Sequence, residues 1–177
     1  MMETPELSSK RLILLPYLWS RVHQRHVDWL RDPDVVKYSE QRHLYHNLET
    51  QASYVTHASL RGHLWIVMLK DGTEIGTIGV EVDKHNLVGN MGVLIGEKSM
   101  WGHGYGTEAW KTVMDYCFKG LELRKVECGT MLANIGMRRT ATKCGMEPEG
   151  ARLSHFILDG ETQDETQDLL LYGKKAK

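Results

Sequence analysis

Between Glu97 and Gly120 the chain reads E-K-S-M-W-G-H-G-Y-G-T-E-A-W-K-T-V-M-D-Y-C-F-K-G: a strand end, a loop with glycine at every second position, then a helix. Gly102, Gly104 and Gly106 alternate with His103 and Tyr105, so a ligand can approach the backbone with no Cβ in the way. Thr107 follows as the expected helix begins, and amides at a helix start form a seat for an anion. Within the helix Ala109/Trp110, Val113/Met114 and Cys117/Phe118 recur every four residues on one face, Lys111, Asp115 and Lys119 point away, and Gly120 ends it.

The rest of the chain supplies a sheet for this unit. Arg11 to Leu15 predicts a short strand ended by Pro16, and a helix is expected from about Leu18 to Leu30. Asp32-Pro33-Asp34 stops that helix and caps a second short one, after which Tyr38 to Asn47 has no clean period and reads as an excursion of the kind that touches substrates. Leu48 to Leu60 suits a helix. Leu64 to Lys70, Glu74 to Val82 and Val88 to Gly96 form a three-stranded meander, turned at Asp71-Gly72 and at Asp83 to Asn86.

After the glycine loop and its helix come a strand (Arg124 to Thr130), a helix (Asn134 to Cys144, stopped by Gly145) and a hairpin (Arg152 to Leu158 and Thr166 to Tyr172, turned at Asp159-Gly160-Glu161). Lys174 to Lys177 reads as a loose tail. The expected fold is one domain over residues 1–177: a mixed α/β (α+β) sheet, mostly antiparallel, with one parallel pair where the glycine-loop helix crosses over, flanked by helices. The loop then sits at the carboxyl end of a strand, a usual ligand crevice in open sheets.

Bulk properties exclude several classes. At 177 residues the chain can bury a core without staples, and a net charge of −1 offers no field for nucleic acid or an anionic membrane. No apolar run reaches the roughly 20 residues of a spanning helix, and the first ten residues lack the apolar core of a signal peptide, so a cytoplasmic protein is expected. Cys117, Cys128 and Cys144 are read as free core thiols. His23/His26 and His43/His46 stand at helical spacing, yet neither pair has an adjacent Cys or carboxylate at a zinc spacing, so no metal site is expected. The five tryptophans are read as core and cleft wall.

For the loop itself, a dinucleotide fingerprint would need G-x-G-x-x-G and a parallel sheet from the start, and an NTP loop would need a lysine where Gly106 precedes Thr107. A plain tight turn is the bland alternative. The motifs Val93-Leu94-Ile95-Gly96-Glu97-Lys98, Trp101 to Ala109, Lys125-Val126-Glu127, Asn134, Lys143-Cys144-Gly145-Met146 and Glu149-Gly150 resemble the GNAT superfamily of acetyl-CoA-dependent N-acetyltransferases, in particular its ribosomal-protein and diamine branch. The resemblance runs from Lys10-Arg11-Leu12 and Asp32-Pro33-Asp34-Val35 to Asp159-Gly160.

The resemblance implies a sheet with a splayed parallel pair and acetyl-CoA as co-substrate. It implies main-chain groups of Leu94, Ile95 and Gly96 along the pantetheine, and the loop from Trp101 and Gly102 through His103, Gly104, Tyr105, Gly106 and Thr107 around the pyrophosphate. Asn134 is open to two readings, a hydrogen bond to the pantetheine arm or a helix cap. Arg138, Arg139 and Lys143 either approach the cofactor's phosphates or form a solvated face.

The same resemblance exposes departures. The branch's usual glutamate in the strand before the loop is Asn90, its usual tyrosine is Ala141 and its alternative serine is Met137. Asn90 cannot take a proton. Glu81, His85 and Glu97 remain as candidate bases; Thr140, Thr142 and Cys144 are weaker candidate acids. The expected reaction is direct attack of an acceptor amine on the thioester; the alternative is a non-catalytic acyl-CoA binding or sensing module. The acceptor is a protein N-terminus, an amino sugar or nucleotide sugar, a polyamine or another small amine. Arg42, His43 and His46 give the excursion a cationic character that suits a phosphorylated acceptor, where a diamine would prefer carboxylates. The sequence does not set the oligomeric state, and a homodimer is left open.

Overall fold

In the computed structural model, residues 3–158 and 166–177 are described, and their strands form one eight-stranded sheet. The turn expected at Asp159-Gly160-Glu161 lies outside the described residues. In chain order the elements are β1 (Leu7–Ser8), β2 (Leu12–Pro16), α1 (Gln24–Arg31), α2 (Pro33–Val36), α3 (Leu48–Arg61), β3 (Gly62–Leu69), β4 (Glu74–Asp83) and β5 (Val88–Ile95), followed by α4 (Tyr105–Lys119), β6 (Lys125–Met131), α5 (Ile135–Lys143), β7 (Glu147–Ile157) and β8 (Thr166–Lys175). The strands lie side by side as β1-β2-β3-β4-β5-β6-β8-β7, and only β5 and β6 are parallel. This is the mixed α/β sheet read from the sequence.

Local signals explain most boundaries. Gly72 takes φ +92 in the β3–β4 turn. Asp32 accepts from the Asp34 amide at the start of α2, which carries Pro33 in its first turn, and Asn47 and Thr50 form a reciprocal capping box at the start of α3. Gly145, at φ +71, ends α5.

Four expectations are corrected. The helix expected from Leu18 is broken: a 3-10 turn at Trp19–Arg21 precedes α1, and Val22 and His23 between them are extended. That break sets α1 against β4, with His23 and His26 on Glu74, while Trp19 is left 67% exposed and belongs to neither core nor cleft. The last hairpin is longer than its apolar pattern, since β7 starts at Glu147 and β8 runs to Lys175. Lys174 is therefore no loose tail: it belongs to β8, and its ammonium donates to the Cys144 carbonyl at 2.7 Å, satisfying a helix-end acceptor.

The core lies between α4 and the sheet. Ala109, Trp110, Val113, Met114 and Cys117 are buried against residues such as Leu12, Leu14, Val67, Ile75 and Ile78. Trp110 and Trp65 are both fully buried. A ring of that size removes ~150–250 Å² from water, about 4–6 kcal/mol of transfer free energy, so α4 is held chiefly by its apolar face. Its amino terminus is thereby fixed at the end of β5.

Candidate active site

The parallel pair is short. β5 and β6 are in register only from Val88↔Lys125 to Asn90↔Glu127; beyond that β5 stays with β4, and β6 continues with β8 alone. The two strands therefore part toward their carboxyl ends. The Gly96 amide donates to the Ile75 carbonyl of β4 at 2.9 Å, and because ladder bonds alternate, the main-chain groups of Met91, Val93 and Ile95 turn the other way, into the gap. A cavity of about 390 Å³ fills it, lined by Gly92, Val93 and Leu94 on one side and by Cys128, Gly129, Thr130, Asn134 and Met137 on the other.

The glycine loop closes the same end. Gly102 and Gly104 take φ +79 and +80, a region other residues enter at a cost. Helix α4 starts at Tyr105, two residues before the expected Thr107, and its first intrahelical bond runs from the Glu108 amide to the Gly104 carbonyl at 3.0 Å. The amides of Tyr105, Gly106 and Thr107 precede that bond and are the free donors of the helix start. Trp101 fixes the loop to β5 through an indole hydrogen bond to the Ile95 carbonyl at 2.7 Å.

A pin holds this loop from behind. The Glu108 carboxylate accepts from the Arg11 amide (2.7 Å), the Arg11 guanidinium (2.6 Å) and the Ser9 hydroxyl (2.8 Å), and Arg11 also donates to the His103 carbonyl and lies over the Tyr105 ring. Partial burial alone would raise the Glu108 pKa, but the Arg11 and Ser9 hydrogen bonds win and hold it below the usual carboxylate range.

The gap between the parting strands ends at a helix whose free amides follow a glycine loop, and the family model for the acetyltransferase (GNAT) domain matches residues 11–147, a span that contains both. The chain belongs to the GNAT acetyltransferase family. It is similar to the probable N-acetyltransferase YjcK of Bacillus subtilis (strain 168), 35% identical over 68 residues; the match spans 38% of this chain and 38% of that relative. RimL, a ribosomal L7/L12 alpha-N-protein acetyltransferase in complex with coenzyme A, superposes with a TM-score of 0.83 at 14% identity over 97% of this chain and 98% of that one. The ribosomal-protein-S5-alanine acetyltransferase of Vibrio fischeri does so with a TM-score of 0.79 at 15% identity, over 97% and 96%. At such identities the likeness is one of fold.

Within this GNAT frame the candidate residues separate. Leu94 and Gly96 have their main-chain groups on the β4 side of β5, and Ile95 faces the gap with its carbonyl bonded to Trp101. Asn134 lines the cavity and also caps α5, its Oδ1 accepting from the Met137 amide at 3.1 Å. Thr107 and Thr140 hydroxyls lie 3.3 Å apart and bridge α4 to α5. Arg139 is exposed on α5, and Arg138 donates to the Leu132 carbonyl.

The three candidate bases are not brought together. Glu97 is a local cap, accepting from the Ser99 amide and hydroxyl. His85 stands on the exposed β4–β5 turn, against a second, more open cavity and not against the gap. Glu81 lines both cavities; it is paired across the ladder with Asn90, and its carboxylate meets Arg61 at 3.3 Å. Asn90 lines both as well, whereas Met137 packs against the core and Ala141 is buried in it, so no hydroxyl stands at either position.

The thiols are unsuited to act as nucleophiles. Burial pushes Cys117 and Cys128 up to about 12 and raises Cys144 as well. All three are free and buried, as expected from the sequence.

The excursion read as the kind that touches substrates supplies Tyr38, Ser39 and Gln41 to the cleft's outer wall, where Trp29 joins them, while sequence reasoning missed His26 and Gln51. These residues come from three segments with no shared motif. Of the excursion's three cationic candidates, Arg42 is paired with Glu40 and donates to the Ser39 and Ile157 carbonyls, buried His46 is bonded to the Gln41 carbonyl, and His43 is exposed outside the cavity lining. The Arg42 and His46 side chains hold the excursion together. The cavity's described lining contains no Lys or Arg, and Glu81 is its only carboxylate.

Proposed function

We propose that this chain is one acetyltransferase domain over residues 1–177 that moves an acetyl group from acetyl-CoA to a primary amine by direct attack. The observation that carries the reading is the free amide turn at Tyr105, Gly106 and Thr107, set at the mouth of the gap between β5 and β6. The pyrophosphate sits on those amides, with His103 and Gly104 beside it, and the pantetheine lies along Val93 and Ile95. The relatives named for CoA binding and N-terminal acetylation support the same assignment.

For the chemistry, the amine nitrogen attacks the thioester carbon, the C–N bond forms and the C–S bond breaks, leaving CoA thiolate. The attacking ammonium must first lose a proton. Glu81 is the carboxylate placed to take it through water: its cross-strand partner Asn90 holds the position of the family's usual glutamate, so Glu81 offers the lost group from the adjacent strand. With no side-chain acid at Met137 or Ala141, the thiolate takes its proton from water. An acceptor whose amine lies in uncharged or cationic surroundings, such as a polypeptide N-terminus, suits this lining; a phosphorylated one does not. The free buried cysteines accord with a reducing, cytoplasmic setting.

The missing acids favour one rival, an acyl-CoA sensor without turnover. Release of free CoA thiol from acetyl-CoA across a panel of peptides and small amines separates the two. Turnover is expected with an unphosphorylated amine; acetyl-CoA binding without turnover on any of them leaves the sensor standing.

A further inference from the structure

At the start of α1, where His26 also borders the cleft's outer wall, two imidazoles and a carboxylate converge on one point. His23 Nε2 lies 2.6 Å and His26 Nε2 3.0 Å from the same oxygen of Glu74, and all three donor atoms fall within 4.8 Å of one another. The ring centroids of the two histidines are 3.9 Å apart. We propose that His23, His26 and Glu74 form a binding site for a divalent transition ion of the zinc type, which braces α1 against β4.

The donor set fits such an ion. Two imidazole nitrogens and one carboxylate oxygen suit zinc or cobalt, whereas magnesium and calcium call for oxygen ligands throughout. Bonds of ~2.0–2.1 Å at tetrahedral angles separate ligand atoms by about 3.3 Å, so the contacts of His23 and His26 to the Glu74 oxygen, now 2.6 and 3.0 Å, open by about 0.7 and 0.3 Å, and the two imidazole nitrogens, within 4.8 Å of each other, settle at the same separation. His26 and Glu74 are the inner members, with side chains 1% and 21% exposed, and His23, at 46%, leaves the fourth position to water.

The surroundings favour a ligand over a simple hydrogen-bonded pair. The other nitrogen of His26, Nδ1, is 2.6 Å from the Tyr17 hydroxyl, and Gln51 donates to that hydroxyl at 3.3 Å. A hydroxyl can give or take the proton, so His26 can carry its proton on Nδ1 and turn a bare Nε2 lone pair to the ion without losing its second partner. This is the outer-sphere support that metal-bound histidines usually have. Among the described residues Arg25 comes close, but its guanidinium donates to the Glu74 main-chain carbonyl at 3.5 Å. The consequence is mechanical: α1 also carries Trp29, which packs on Gly96 at the end of β5, so an ion at its first turn stiffens one wall of the gap without touching the reacting atoms.

The test uses tag-free, metal-stripped full-length protein titrated with zinc chloride. One equivalent should bind, and at a hundredfold excess over Kd the melting midpoint should rise by about 5–10 °C. Glu74→Gln and His23→Ala should each weaken binding at least tenfold, while His57→Ala, on exposed α3, should leave it unchanged. Cobalt should give a visible spectrum without a thiolate charge-transfer band, excluding the buried cysteines. His23 is exposed enough that its alanine variant decides the matter if Glu74→Gln fails to fold. No zinc-dependent shift in the wild type, full retention in His23→Ala, or a thiolate band would overturn the proposal.

Discussion

The indole of Trp29 packs so closely on Gly96 that a Cβ at residue 96 would overlap Cγ and Cδ2 of the ring. Trp29 is 6% exposed on α1, and Gly96 directly follows β5, the strand that borders the gap, so this contact couples the amino-terminal helices to that side of the sheet. Gly96→Ala must therefore push α1 or the end of β5 aside. We expect a loss of about 1–3 kcal/mol in stability, read by urea unfolding, together with weaker acetyl-CoA binding.

Asn134 holds two roles that one substitution separates. Asn134→Asp keeps an oxygen for the Met137 amide and so keeps the cap, but it removes the amide donor facing the cavity. Stability should stay within about 0.5 kcal/mol of wild type while kcat/KM for acetyl-CoA falls at least ~10-fold. Equal loss of cap and activity in Asn134→Ala, with an unaffected aspartate variant, would assign the residue to the helix alone.

Glu81→Gln tests the base. It preserves size and a contact to Arg61 but cannot accept a proton, so kcat should drop by ~100-fold and the acid limb of the pH–rate profile should disappear. His85→Gln, on the outer turn, should leave both nearly unchanged.

Glu108 makes a pH-dependent contribution to the loop. Its folded pKa lies below the ordinary value of 4.5, so the stabilisation is complete above 4.5 and fades as pH falls through the folded pKa. Glu108→Gln should cost about 1–3 kcal/mol at pH 7, and that cost should shrink progressively as pH falls below 4.5, measured as the difference in urea midpoints between the two proteins at each pH.

The glycine loop, the α4 stripe and the meander were legible because each carries a local signal: alternating glycines, a four-residue repeat, Asp71-Gly72. The parting of β5 from β6 was not written in either strand's composition and entered through family resemblance; pairing is a property of registers. The helical polar residues of the cleft's outer wall were illegible for a similar reason. His26 and Gln51 stand on separate helices, α1 and α3, that meet through the Tyr17 hydroxyl, a contact neither helix's own pattern contains. Glu74 was likewise invisible as a partner of His23 and His26, because only the fold brings β4 to α1.

The central claim, that the amides after Gly104 hold the pyrophosphate of acetyl-CoA, is tested most directly by calorimetric titration of acetyl-CoA into wild type and Gly106→Glu. A Cβ at residue 106 meets Ile95 Cγ1 at an ordinary 3.5 Å, so the fold tolerates the side chain while its carboxylate opposes a phosphate. The account predicts one site per chain in the wild type and at least ~100-fold weaker binding in the variant, at unchanged circular dichroism. Equal affinity in the two proteins would contradict it.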